Sequence, residues 1–186
     1  MFATRIAARG ACRCSHAVAR RSFSSRPTYS ITAEQEELRD AARAFAQSPE
    51  VVALAEELEA TNLPVPPEWK KKYADMGFLS INTPEKYGGL GLGHLEALLV
   101  LEEFGKISSA VAFPIFESLV GPIKAVQRFG TEEMKERLLP DVSAGEFVVA
   151  VAMSEPDAGS AATDMVTTAL ADPDVEGGLI LRGQKR

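Results

Sequence analysis

Thiols and imidazoles are scarce in this chain of 186 residues. It contains two cysteines, Cys12 and Cys14, and two histidines, of which only His94 lies beyond residue 30. Residues 31–186 therefore offer no disulfide, no cysteine-based metal site and no multi-histidine zinc site. A Ser-His-Asp triad would have to be built on His94 alone. If the protein is an enzyme, this composition favours chemistry supplied by a cofactor rather than by a metal.

Acidic residues are missing from the first thirty positions, which also lack lysine but contain six Arg and five Ser. This composition is typical of a mitochondrial transit peptide, and arginine recurs too often to leave the apolar core of a secretory signal. We therefore predict a transit peptide over residues 1–30 and a location in the mitochondrial matrix. A disordered basic arm that binds nucleic acid is the alternative for this segment.

Basic residues are the minority beyond residue 30. Residues 31–186 contain 14 of the 20 lysines and arginines and all 26 aspartates and glutamates. The net charge of residues 31–186 is thus about −12, which argues against a surface that binds nucleic acid. Long apolar runs are also missing. No run reaches the ~18–20 residues of a membrane span, so we predict no span.

Helical periodicity dominates from residue 32 to about residue 145. Thr32 and Gln35 have the spacing of a capping box at the first helix. A long helix is predicted over 111–126, which Pro114 and Pro122 kink or split. The other predicted features are helices over 49–60, 68–76, 94–105 and 131–138, an extended stretch over 79–83, and a loop over 140–145. The glycine-rich stretch 86–93 does not fit a dinucleotide-binding fingerprint and favours a close-packing turn over a phosphate cradle.

The period of the apolar pattern changes near residue 145, and strands are predicted over 147–153, 163–170 and 179–183. The predicted fold is mainly α. An all-helical N-terminal domain of about five to six helices, residues 31–145, is followed by the first strands of a β-barrel-like domain, residues 146–186. This second domain is incomplete as written, because three strands with open edges cannot close a core.

The turn at the end of the first predicted strand is the stretch most typical of a binding site. Pro156 lacks a backbone N–H and ends the strand. Asp157, Gly159 and Ser160 tolerate unusual backbone angles and offer short polar contacts, which suit a planar polar ligand or a phosphate. A tight connection between two strands is the other interpretation of this turn.

Four motifs occur in order: Pro-Glu-Lys-Tyr-Gly-Gly-Leu-Gly at 84–91, Phe-Gly-Thr-Glu-Glu at 129–133, Leu-Pro-Asp at 139–141 with Gly-Glu at 145–146, and Met-Ser-Glu-Pro-Asp-Ala-Gly-Ser at 153–160. In this order and spacing they resemble the acyl-CoA dehydrogenase family. The resemblance implies FAD as cofactor and α,β-dehydrogenation of acyl-CoA thioesters, in fatty acid or amino acid catabolism. It also implies electron transfer to an electron-transfer flavoprotein, and a full-length protein that forms homo-oligomers.

The same resemblance assigns cofactor contacts around the turn. The Ser154 hydroxyl and the backbone of the preceding residues would hydrogen-bond the flavin ring, Gly159 would allow close approach, and Ser160 would contact the cofactor or the phosphate region of acyl-CoA. The cofactor-binding residues expected are Val151, Ala152, Met153, Ser154, Gly159 and Ser160, with Ser160 also contacting substrate. Glu155 is interpreted as structural rather than catalytic.

No catalytic residue and no metal ligand is assigned, because the family's catalytic glutamate is expected beyond Arg186. The chain is expected to be an N-terminal fragment that is inactive alone. A non-catalytic helical protein, which associates with a partner through exposed apolar surface, is an alternative from a different class. An acyl-CoA oxidase-like flavoprotein is a further alternative.

Overall fold

The helical pattern of the sequence is realised in a computed structural model, which describes residues 30–186. The predicted transit peptide, apart from Ser30, lies outside the described residues. Within them, seven α-helices precede two short strands: α1 (Ala33–Ala46), α2 (Pro49–Thr61), α3 (Pro67–Asp75), α4 (His94–Gly105), α5 (Ser109–Leu119), α6 (Ile123–Phe129), α7 (Glu132–Ser143), β1 (Thr168–Ala171) and β2 (Leu179–Arg182). The mainly-α class, with helices first and strands after, is confirmed.

Short polar side chains begin several of these helices. At α1 the Gln35 N–H donates to the Thr32 hydroxyl at 3.3 Å, and the Thr32 N–H donates to Gln35 Oε1 at 2.9 Å. The predicted capping box is therefore confirmed. The hydroxyls of Ser48, Ser108 and Thr131 cap α2, α5 and α7 by accepting one backbone N–H each, without the reciprocal bond of a capping box. Such caps each contribute about 0.5–2 kcal/mol.

The main core is an aromatic cluster that joins α1, α3 and α4. Phe104 packs edge to face against Tyr73 at 5.3 Å and against Phe78 at 5.4 Å between ring centroids. Phe45 from α1 covers Tyr73 and Phe78 at 5.9 and 5.5 Å. Tyr73 and Phe104 are fully buried. Edge-to-face pairs each add about 0.5–1.5 kcal/mol to the area buried, so this cluster fixes the helices relative to one another.

A second cluster positions the chain that follows α7. It contains the buried residues Tyr87, Ile123, Val126, Leu139 and Val142. Phe147 and Val149 are partly buried against it, and they anchor the start of the segment that leads to the predicted turn.

The predicted helix 111–126 is divided in two, which raises the helix count above the expected five to six. Helix α5 ends at Leu119, and the Gly121 N–H donates to the Phe116 carbonyl at 2.8 Å. Pro122 then begins a new turn of helix rather than continuing the old one. Helix α7, in contrast, runs through Pro140 to Ser143, so the loop predicted there is wrong. Burial of Leu139 and Val142 favours the longer helix.

The predicted strand 147–153 is wrong, because this segment is extended but pairs with no strand in the described part of the chain. The predicted strand 163–170 is shorter, since residues 162–164 form a 3-10 helix. The strand predicted near 179–183 is confirmed. β1 and β2 form an antiparallel hairpin in which Thr168 faces Arg182 and Ala171 faces Leu179.

The stretch 79–83, predicted to be extended, forms consecutive turns instead. Its carbonyls accept hydrogen bonds from the glycine-rich loop: the Leu90 N–H donates to Ser80 at 3.0 Å and the Gly91 N–H to Thr83 at 2.9 Å. Gly89 packs so closely on Thr83 that a Cβ would clash with its backbone. The interpretation of this loop as a close-packing turn is confirmed.

Residues Ser109–Phe129 are long and apolar enough, by length and composition, to cross a membrane. This finding rests on length and composition alone, so the absence of a membrane span stays a prediction. In the structure this segment forms two helices, α5 and α6, and nearly half of its most apolar part is buried inside the protein. Val111, Ile115 and Leu119 are completely buried, which is the pattern of a core helix.

Candidate functional site

A cleft of about 480 Å³ lies between helix α5 and the extended segment 150–154. Its lining is mostly apolar and comes from three parts of the chain. The lining residues are Phe113, Phe116, Glu117, Gly121, Pro122, Ala150, Val151, Met153, Ser154 and Arg186. Concave, largely apolar sites with a few polar groups are typical of small-molecule binding.

Helix α5 supplies the aromatic wall of the cleft. The rings of Phe113 and Phe116 lie 5.6 Å apart, and both side chains are exposed. The sequence analysis missed them because it followed the buried stripe through Val111, Ile115 and Leu119. Two phenylalanines that lie off the buried stripe of a core helix are the signal that would have found this wall.

The opposite wall contains three of the six predicted cofactor contacts: Val151, Met153 and Ser154. Ala152 alternates with them and does not line the cleft. Within the described residues, the backbone N–H groups of 151–154 donate to no acceptor. Residues 151–154 are exposed, so their N–H groups are open to water or to a ligand.

Two carbonyls of the same segment, in contrast, accept hydrogen bonds from the chain after β2. Lys185 Nζ donates to the Met153 carbonyl at 3.1 Å, and the Arg186 N–H donates to the Ser154 carbonyl at 2.9 Å. The end of the segment is thus held through two of its carbonyls, whereas its N–H groups have no partner within the described residues.

The turn that follows is closed by two backbone hydrogen bonds between Glu155 and Ala158, at 2.8 and 3.3 Å. Pro156 occupies the corner, where its fixed φ suits a turn. Gly159 and Ser160 are exposed beyond the turn, and the structure does not bring them into the cleft. A Cβ at Gly159 would meet nothing within 4 Å, so the space beside this residue is open.

Glu155 is the buried anchor of the turn. Its carboxylate accepts hydrogen bonds from the Val166 N–H at 2.8 Å, the Thr167 N–H at 3.1 Å and Lys185 Nζ at 2.9 Å. Thr167, Val166 and Lys185 together lower the pKa of Glu155 to about 2. A carboxylate fully engaged by the fold supports the structural role expected for this residue.

Glu117 is the carboxylate that lines the cleft, and the sequence analysis missed it. It is half-buried, and burial raises the pKa of its carboxyl while the charge of Lys70 opposes that shift. No basic side chain in the part of the chain that the structure describes lies within 4 Å of it. Glu117 thus lines the cleft without an ion-pair partner among the described residues.

The family model described as "Acyl-CoA dehydrogenase, N-terminal domain" matches residues 32–146. The chain belongs to the acyl-CoA dehydrogenase family. This match covers α1 to α7, and the cleft lies where that helical part meets the segment leading to the turn. The resemblance drawn from the four sequence motifs is confirmed.

Three relatives illustrate the likeness of this acyl-CoA dehydrogenase chain to known proteins. Acryloyl-CoA reductase (NADH) from Anaerotignum propionicum is 40% identical over 79% of this chain and 36% of its own length. Mitochondrial isovaleryl-CoA dehydrogenase from Arabidopsis thaliana is 37% identical over 89% of this chain and 40% of its own. The structure of an acyl-CoA dehydrogenase complexed with FAD from Bacillus anthracis is 26% identical, with a TM-score of 0.71, over 83% of this chain and 26% of that one. The chain thus spans about two fifths of the curated relatives it matches.

The residues of the cleft fit the flavin that the acyl-CoA dehydrogenase family implies. Val151, Met153 and Ser154 bring unpaired N–H groups and one hydroxyl to the cleft, which are the donor types that flavin oxygens and nitrogens accept from, and the phenylalanines of α5 offer an apolar surface. The open space beside Gly159 admits a ligand close to the backbone. No cluster of three metal-binding side chains occurs in residues 30–186.

Proposed function

We propose that this chain forms one wall of the FAD site of an acyl-CoA dehydrogenase, which introduces an α,β double bond into acyl-CoA thioesters. The observation that carries the proposal is that Val151, Met153 and Ser154, whose N–H groups are unpaired within the described residues, line a cleft in a chain of this family. The acceptor of the electrons, by family resemblance, is an electron-transfer flavoprotein.

FAD, when bound, supplies the two-electron acceptor that the side chains of this chain lack. The amides of Val151 to Ser154 and the Ser154 hydroxyl hold the ring and stabilise negative charge on it. Gly159 admits the cofactor to the backbone, and Ser160 contacts the cofactor or the phosphate region of acyl-CoA. Anchoring by Glu155 keeps these donors in place.

The domain organisation and location form part of the same proposal. Residues 1–30 are a transit peptide for the mitochondrial matrix, residues 31–145 the helical domain, and residues 146–186 part of the middle β domain. The likeness to mitochondrial isovaleryl-CoA dehydrogenase supports this location. The whole protein assembles as a homo-oligomer, as implied by the family.

The catalytic base lies outside these 186 residues, so the chain alone is inactive. The assay is reduction of an artificial dye by the purified chain with FAD and butyryl-CoA. We expect no turnover above a protein-free blank. Turnover that disappears in Glu117→Gln would contradict this proposal and make the cleft carboxylate the base.

Titration of FAD with the purified chain, followed by flavin fluorescence, tests the binding wall. Loss of the Ser154 hydroxyl in Ser154→Ala removes one hydrogen bond and is expected to weaken binding about fivefold. Thr163→Ala, which removes an exposed hydroxyl outside the cleft, is the matched control and should bind like the unchanged chain. Equal affinities for all three chains would refute the assignment of Ser154.

Exposed apolar side chains favour a second candidate function, the association of a non-catalytic chain with a partner. Phe129, at the end of α6, is 85% exposed, and Leu181, on the β1–β2 hairpin with its open edges, is 73% exposed. Sedimentation velocity of the purified chain separates the two candidates. A monomer that binds FAD supports the flavoprotein, whereas a stable assembly that binds no FAD supports association.

A further inference from the structure

Three separate parts of the chain meet at the ammonium group of Lys185. Lys185 Nζ donates to the Met153 carbonyl at 3.1 Å, to Glu155 Oε1 at 2.9 Å and to the Met165 sulfur at 3.4 Å. An ammonium group has three N–H donors, so these contacts use all of them. The Lys185 side chain is 28% exposed and that of Glu155 is 3% exposed, which shields their ion pair from most of the solvent.

The backbone on both sides of Lys185 is fixed in place. A Cβ at Gly183 would clash with the side chain and the backbone of Thr167, so the chain that leaves β2 passes directly against Thr167. On the other side, the Arg186 N–H donates to the Ser154 carbonyl at 2.9 Å. These contacts determine where the Lys185 side chain starts, and they bring its ammonium group to the Met153 carbonyl.

The Met153 carbonyl belongs to the same peptide group as the Ser154 N–H. A trans peptide is planar, and its carbonyl and N–H point in opposite directions. By holding this carbonyl, Lys185 therefore sets the direction of the Ser154 N–H, which points away from the ammonium group. This N–H has no acceptor within the described residues, and Ser154 lines the cleft whereas Lys185 does not. A cation at the carbonyl also polarises the peptide group, which makes its N–H a stronger donor.

We propose that Lys185 is a positioning residue for FAD, which acts through the Met153–Ser154 peptide group to aim and strengthen the Ser154 N–H as a donor to the flavin ring. This inference rests on the proposed function, since it requires that FAD occupy the cleft. A strengthened donor favours negative charge on the ring. Lys185 therefore stabilises the binding of reduced FAD more than that of oxidised FAD.

The test compares the unchanged chain with Lys185→Met, whose side chain has a similar length and no charge. Isothermal titration calorimetry under argon measures the affinity for oxidised FAD and for FAD reduced with dithionite. We expect Lys185→Met to weaken binding of oxidised FAD about threefold and of reduced FAD about tenfold. A lysine that only holds the fold together would change both affinities equally. In ¹H–¹⁵N NMR spectra without FAD, the Ser154 amide resonance should also shift in this variant, because its peptide group loses the cation.

Arg182→Met is the matched control. Arg182 lies three residues earlier, is exposed, and makes no ion pair or side-chain hydrogen bond among residues 30–186. The control removes the same charge from the same part of the chain, and both of its affinities should equal those of the unchanged chain. Lys185→Arg keeps the cation but replaces a compact ammonium group with a planar fork. Its losses should be smaller than those of Lys185→Met and again larger for reduced FAD, and this variant carries the test if Lys185→Met does not fold.

Equal losses for the two redox states, or affinities that the substitutions at Lys185 leave unchanged, would overturn this inference alone, because the unchanged chain would still bind FAD. If the unchanged chain binds neither form of FAD, the proposed function fails and the inference fails with it.

Discussion

The Tyr73 hydroxyl offers a sharp test of the packing that supports the cleft. Tyr73 is completely buried in the aromatic cluster, and its hydroxyl has no hydrogen-bond partner among residues 30–186. Burial raises the pKa of this phenol far above its usual range. A buried polar group without a partner costs about 1–3 kcal/mol. Tyr73→Phe keeps the ring contacts with Phe45 and Phe104 and removes only the uncompensated hydroxyl.

We therefore expect Tyr73→Phe to raise the free energy of unfolding by about 1 kcal/mol, the low end of that range, because the missing oxygen leaves a small void. For a protein of this size the gain corresponds to about 2–4 °C in Tm. Urea unfolding followed by circular dichroism measures it, with an unchanged dependence on denaturant as the check that the same transition is observed.

Tyr87→Phe is the matched control for this prediction. The Tyr87 hydroxyl donates to Glu132 Oε2 at 2.7 Å, so its removal should lower the free energy of unfolding by about 0.5–1.5 kcal/mol. Opposite signs for the two variants are the expected result. A loss of stability in Tyr73→Phe comparable to that in Tyr87→Phe would refute the reasoning, since it would show that the Tyr73 hydroxyl is satisfied.

The carboxylates of Glu155 and Glu117 are expected to change the stability of the fold with pH in opposite directions. The pKa of Glu155 is lowered to about 2, so its stabilising contribution is present above its usual range and is lost as pH falls towards 2. Glu155→Gln should be less stable than the unchanged chain at pH 7, with the difference shrinking below about pH 4.3. Burial raises the pKa of Glu117, so its ionisation destabilises the fold as pH rises through that pKa. Glu117→Gln should be more stable at pH 7, and this gain should disappear below about pH 4.3.

Chemical denaturation at a series of pH values measures both effects. Glu133→Gln, which changes an exposed carboxylate on α7, should follow the unchanged chain throughout. Coincident curves for Glu155→Gln and the unchanged chain would show that the anchor at the turn contributes nothing to stability. A Glu117→Gln variant that is less stable at pH 7 would show that the carboxylate has a partner in the folded chain.

Local signals in the sequence were sufficient to predict most of the helices. The capping box at Thr32 and the proline and glycine breaks depend on residues a few positions apart, and the structure realises them nearly as expected. The helix through Pro140 was not predictable in this way. Its continuation depends on burial of Leu139 and Val142 against α6, and a contact between helices is not visible in a local pattern.

The segment 147–153 shows that strand pairing cannot be predicted from local composition alone. Its apolar composition predicts a strand, but strand assignment requires a neighbour, and its side chains pack on helices instead. Helical periodicity also does not reveal that α5 lies beside the segment that leads to the turn at 155–158. The residues predicted from the turn supply only one wall of the cleft, because the other wall, Phe113 to Glu117, lies about forty positions earlier and meets it only in three dimensions.

The central claim is that the unpaired amides of residues 151–154 bind FAD, and NMR of the ¹⁵N-labelled chain tests it most directly. Titration with FAD is expected to shift the amide resonances of Val151 to Ser154 and of Gly159 and Ser160, together with the ring resonances of Phe113 and Phe116. The amide resonances of the hairpin β1–β2 should not shift. If saturating FAD leaves the resonances of 151–154 unchanged, or shifts only residues outside the cleft, the claim is contradicted.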